Sequence, residues 1–112
     1  VIRSRYYDRN GQPIDDVIEW GRKFEDMDSR RVALDEIPCG DESVRVSTVF
    51  LGLDHNYFDD GPPLIFETMV FGGPPAVDQW QRRYATEEEA REGHEVAVAA
   101  LRRADLRFFD DE

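Results

Sequence analysis

Apolar residues recur along this chain in two different periods, and the change of period marks out the elements. Val17, Trp20, Phe24 and Met27 are spaced by three, four and three positions, which places them on one face of a helix. Asp15 or Asp16 is placed to cap that helix, which should run to about Asp26. Gly21 weakens it by ~1 kcal/mol relative to alanine, a cost that a close packing contact would explain. Upstream, Val1 to Tyr7 reads as a short strand or ordered arm. Asp8 to Pro13 is turn chemistry centred on Asn10-Gly11.

Three strand-like runs follow. Arg31 to Ile37 ends at the turn Pro38-Cys39-Gly40-Asp41, Val44 to Leu53 is the longest, and Leu64 to Phe71 is the third. In the second run Val44, Val46, Thr48 and Phe50 share one face, and Val49, Leu51 and Leu53 share the other. In the third, Leu64, Phe66, Thr68 and Val70 oppose Ile65, Glu67, Met69 and Phe71. Both runs are apolar on both faces, the pattern of strands covered on both sides. A helix on each face, or a partner chain on one of them, would provide that cover. After the break at Gly72 to Pro75, Gln79 to Ala85 reads as a fourth strand, with Trp80 and Tyr84 on one side and Gln81 and Arg83 on the other.

Thr86-Glu87-Glu88-Glu89 is a capping box whose carboxylates also complement the positive end of the helix it starts. That helix should run to about Arg103. The resulting order, β-α-β-β-β-β-α, predicts an α+β fold: an antiparallel sheet of about four strands, one short N-terminal helix and one longer C-terminal helix. No repeat or low-complexity linker divides the chain, so 1–112 is read as a single domain; 105–112 is an acidic tail with the composition of a flexible one, in which Phe108 and Phe109 are able to dock while the acids stay solvated.

The 112 residues carry 25 acids against 14 bases, a net charge of −11. This balance excludes a generic nucleic-acid binder, which needs positive charge to displace counterions, and argues against anionic membrane surfaces. No apolar run reaches the ~20 residues of a membrane-spanning helix. No charged-then-apolar leader opens the sequence, and Cys39 is the only cysteine, so a reducing, cytoplasmic location is expected. Lys23 is the sole lysine beside thirteen scattered arginines, which points to the codon usage of a GC-rich genome.

The residues available for chemistry are few. His94 lies on the apolar stripe of the last helix with Ala90, Ala97, Val98 and Leu101, the setting of a packed histidine bonded to a backbone carbonyl. The sharper alternative is a general base or ligand. His55 follows Asp54 in an acid-rich loop that lacks the spaced oxygens and closing glutamate of a calcium loop. Glu67 is the one acid inside an apolar strand: either a carboxyl with a raised pKa, or half of a cross-strand pair with Arg45 or Arg83. Asp54, His55, Glu67 and His94 are therefore the set on which catalysis would rest, with a histidine as base and Glu67 as acid or ligand. No metal site and no cofactor is expected, since no ligand pair has zinc spacing and no glycine-rich phosphate loop is present. Tyr57 and Phe58, followed by the rigid Pro62 and Pro63, form an aromatic-proline loop suited to a protein contact.

Three strings carry a resemblance. They are Val46-Ser47-Thr48-Val49-Phe50-Leu51-Gly52-Leu53-Asp54-His55, the stretch Gly61-Pro62-Pro63-Leu64-Ile65-Phe66-Glu67-Thr68-Met69-Val70-Phe71-Gly72-Gly73, and Arg83-Tyr84-Ala85-Thr86-Glu87-Glu88-Glu89-Ala90 with Gly93-His94. Together they cover most of the chain, from about Tyr6 to Leu101, and the string from Gly61 to Gly73 is the most specific. The chain resembles a family of small phage- and prophage-encoded proteins. The resemblance implies a phage or prophage setting, inside a bacterial host, and brings no activity with it. The acid-rich Tyr57 to Asp60 departs from the family pattern.

Three functional classes follow. The first is a non-catalytic accessory protein that binds another protein or itself, for instance a homodimer burying one sheet face. The second is an acidic decoy that imitates DNA and occupies a host DNA-binding enzyme. The third is a small hydrolase or metal-dependent enzyme built on His55 and His94. Direct nucleic-acid or membrane binding is expected of none of them.

Overall fold

Helix α1, Val17–Lys23, begins where Asp16 turns its carboxylate onto the chain: Oδ1 accepts from the backbone N–H of Ile18 and Glu19, at 3.0 and 3.2 Å. The structure is a computed structural model that describes residues 5–23, 27–56 and 61–110. A single helical turn, α2 (Met27–Arg30), leads directly into the first strand. The helix expected up to Asp26 is therefore described only to Lys23. The N-terminal arm enters no regular strand among its described residues. Tyr6 and Tyr7 make isolated bridges to Leu53 and Pro13, and the Asp8 carboxylate closes the turn by accepting from the N–H of Asn10 and Gln12.

Strands β1 (Arg31–Cys39), β2 (Glu42–Phe50), β3 (Phe66–Phe71) and β4 (Gln81–Tyr84) form one antiparallel sheet in sequence order. This is an α+β architecture. The first hairpin is tighter than expected. Pro38 and Cys39 remain in the strand, and only Gly40-Asp41 turn. Gly40 has a φ of 66° at the first loop position, the glycine requirement of a type II′ hairpin. β2 stops at Phe50, three residues short of the sequence expectation, because Gly52 takes a φ of 73° and turns the chain out of the ladder. Gln79 likewise holds a φ of 70°, so β4 begins only at Gln81.

Helix α3, Glu87–Arg102, is the best-specified element. Thr86 Oγ1 accepts from Glu89 N–H, and Glu89 Oε1 accepts in return from Thr86 N–H, at 3.1 and 3.3 Å. It packs against all four strands on one face of the sheet. One core cluster there joins Ile37, Val44, Val46 and Val70 to Ala97 and Leu101. A second joins Tyr7, Val32, Phe50, Phe66 and Tyr84 to Ala90. Within the acidic tail, Leu106–Asp110 forms a 3-10 helix, and of the two behaviours open to its phenylalanines it is docking that occurs. Its Phe109 is buried edge-on against Trp80 with ring centroids 5.3 Å apart. Residues 111–112 lie outside the described residues.

The N-terminal segment sits on this same side, where Arg9 meets Glu87 at the start of α3 and Trp20 Nε1 donates to the Gly52 carbonyl. Of the two kinds of cover that the strand pattern allows, a helix on each face is not seen among the described residues. Among the described residues, the opposite, outer face carries no layer.

Candidate functional site

Among the described residues, three of the four buried polar side chains, Thr48, Thr68 and His94, converge inside the helix–sheet interface. Thr48 and Thr68 are register partners on β2 and β3, both pointing into the core and both fully buried. Their hydroxyls lie 2.6 Å apart. From above, α3 delivers His94, only 2 % exposed, with Nδ1 2.7 Å from the Thr48 hydroxyl. Its other nitrogen, Nε2, lies 2.8 Å from Oδ2 of Asp35 on the edge strand β1.

The donor directions in this chain follow from chemistry. A carboxylate only accepts, so Nε2 carries the proton and donates to Asp35. With the neutral ring, Nδ1 then accepts from Thr48, and Thr48 accepts from Thr68. Asp35 is the one member that reaches solvent; its side chain is 43 % exposed.

The Tyr84 hydroxyl lies beyond Thr68, buried and without a hydrogen-bond partner among the described residues. Burial pushes its pKa up; the neighbouring Thr68 hydroxyl and the Arg82 charge oppose that shift more weakly. The ring fits because residue 93 is glycine. A Cβ there would fall inside contact distance of Tyr84 Oη, Cζ and Cε1.

Acid, imidazole and hydroxyl stand here in the order of a nucleophilic triad. The oxygen that would attack is sealed, however, between Thr68 and the helix at 0 % exposure. A substrate carbon has no approach to it. The arrangement does what a fully satisfied buried network does: it fixes the position of α3 over β1, β2 and β3 by hydrogen bonds that only one register can make.

The sequence candidates are not brought together. His94 joins this interior chain through side chains, where sequence had suggested a backbone carbonyl. Glu67 points to the outer face, where Arg83 Nε donates to it at 3.1 Å. Asp54 and His55 lie beyond the end of β2. Asp54 is buried, and its Oδ1 accepts from the N–H of Asn56 and Leu64, so it pins the loop. His55 Nδ1 lies 2.9 Å from the Leu53 carbonyl. Among the described residues, no three His, Cys, Asp or Glu side chains gather closely enough to hold a metal ion. Tyr57 and Phe58 lie outside the described residues. Of their loop, Pro62 is exposed and Pro63 half-buried. Asp35, Thr48, Thr68 and Tyr84 are the functional partners that sequence reasoning missed. The available signal was two threonines on the core-facing parity of apolar strands.

A second polar joint ties the N-terminal segment to α3. Glu87 accepts from Arg9 Nε at 2.8 Å and from Arg91 Nη2 at 2.7 Å, and Arg9 also donates to the Ser29 carbonyl. The Arg9 hydrogen bond is the leading reason that the Glu87 pKa is lowered. A carboxylate whose folded pKa is depressed contributes stability above its unfolded pKa and loses it as pH falls through the folded value. Glu87→Gln should therefore be less stable than wild type at pH 7, and the gap should close below about pH 4, under the ordinary glutamate value. Urea titrations of both proteins across that range check this. A gap that does not change with pH would refute it.

No family model, curated protein or solved structure matches this chain.

Proposed function

We propose that this protein acts by protein binding or self-association through the outer face of its sheet, as an accessory protein in the phage or prophage setting that the sequence resemblance implies. The observation that carries this reading is the composition of that face. Leu34, Val49, Met69 and Phe71 project from it, Leu34 and Phe71 at 37 % and 45 % exposure, and no described element covers them. Apolar side chains grouped on one open face and rimmed by charges are the composition of a contact surface. The Asp35–His94–Thr48–Thr68 chain, buried from His94 inward, supports the same reading from the other side. It stiffens the sheet behind the contact face and offers no open nucleophile. Among the described residues no helix is long and apolar enough to cross a membrane.

The test is capture of the tagged protein from nuclease-treated host lysate, before and after phage induction, using wild type and Phe71→Glu in parallel. The bound protein should be lost with Phe71→Glu while the far-ultraviolet spectrum is unchanged. Equal capture by both would overturn the assignment to this face. A captured DNA enzyme, held equally by both and released by salt, would favour the acidic decoy instead.

A further inference from the structure

The outer face is ordered in rows, because strand register places side chains side by side across the sheet. One outer row is Glu36, Arg45 and Phe71. The middle row is Leu34, Ser47, Met69 and Gln81, without a charge. The third is Arg31, Val49, Glu67 and Arg83, with Arg31 set opposite Val49 by the bulge that sends Val32 into the core.

Three arginines and two glutamates give this face one net positive charge, on a chain whose total is −11. The remainder of the chain together carries −12 and repels a second copy. Across this face, two copies meet without strong net repulsion to overcome.

We infer that the occupant of this face is a second copy of the chain, packed sheet on sheet about a two-fold axis that runs along the middle row. This inference rests on the proposed binding role of the face and specifies its partner. Rotation about that axis lays the uncharged row on itself: Leu34 against Leu34, Met69 against Met69. It also places each charged row opposite the other, so that Glu36 of one copy faces Arg31 of its mate and Phe71 faces Glu67, beside Arg45 on the adjoining strand. The interface is isologous and closes at two. Four strands at ~4.8 Å spacing and six residues at ~3.3 Å give a face of roughly 19 by 20 Å. That is roughly 380 Å² per copy, below the ~800 Å² per partner of a standard interface and in the range of weak, transient contacts. The dimer is therefore reversible and concentration-dependent.

Sedimentation over a concentration series tests this directly. Wild type should move from the 13.0 kDa monomer towards twice that mass as concentration rises. Met69→Glu and Met69→Lys should each weaken association about tenfold or more, because each places a charge against its own copy across the axis. An equimolar mixture of the two variants should restore the dimer, since the introduced carboxylate of one copy then faces the introduced ammonium of the other. Rescue by mixing requires position 69 to oppose itself. Dimerisation unaffected by either substitution, or no rescue, overturns the two-fold assignment. A wild-type chain that stays monomeric throughout, yet loses a captured heterologous protein on Phe71→Glu, overturns self-association and leaves the binding role standing. Monomer together with unchanged capture removes both.

Discussion

Gly93→Ala should cost about 3 kcal/mol, the upper end of what overpacking usually costs and a large effect for one methyl group. Helix propensity alone favours alanine here by ~1 kcal/mol, so the sign is decided by packing. The added Cβ would overlap the hydroxyl and two ring carbons of Tyr84, on a strand that is hydrogen-bonded to β3 and has little room to yield. Tyr84→Phe separates the contributions. By itself it should be close to neutral, because the hydroxyl it deletes is buried with no hydrogen-bond partner among the described residues. Combined with Gly93→Ala it should restore little, since Cζ and Cε1 remain. Chemical denaturation of the three variants reads all of this. A Gly93→Ala protein as stable as wild type would show that α3 sits farther from the sheet than described.

His94→Ala should lose a comparable amount, again about 3 kcal/mol or more. It empties the space of a buried ring and removes the acceptor of the Thr48 hydroxyl. Asp35→Asn should cost under about 1 kcal/mol, because the amide oxygen accepts from Nε2–H as the carboxylate does and the side chain is half in water. Thr48→Val should fall between the two: it keeps the volume but leaves Nδ1 and the Thr68 hydroxyl without their shared partner. This order, His94 above Thr48 above Asp35, is the signature of a structural network. An enzyme would show the reverse separation, with His94→Ala folded and inactive. Equilibrium unfolding of the three variants, each checked for native far-ultraviolet signal, decides between them.

The parts of this fold that sequence exposed are those governed by local chemistry. Thr86 and Glu89 satisfy each other's backbone within one turn, so the start of α3 needed no tertiary information. Asp16 and the turn at Asp8 are local in the same way. Strand ends were overrun where a single residue, Gly52 or Gln79, takes a positive φ that its neighbours do not announce. The site was legible only in part. His94 stood out as a polar residue on an apolar stripe, but its partners lie 46 and 59 residues away. Thr48 and Thr68 are linked by register, which depends on how β2 and β3 pair. Of the two readings open for Glu67, the cross-strand pair is the one that forms: register sets it opposite Arg83 on the outer face.

The sequential order of the sheet also sets how the chain assembles. Each strand pairs with the one made just before it, and the first hairpin turns in two residues. β1 and β2 can therefore zip together, on the scale of ~1–10 μs for a hairpin, without waiting for anything downstream. β3 and then β4 add to a growing edge, and loop closure is short at both β1–β2 and β3–β4. During synthesis the Thr48 and Thr68 hydroxyls face water until His94 arrives with the last helix. The imidazole is then the latch of the folding reaction as well as a brace of the finished fold. Its replacement should speed unfolding far more than it slows the formation of the sheet.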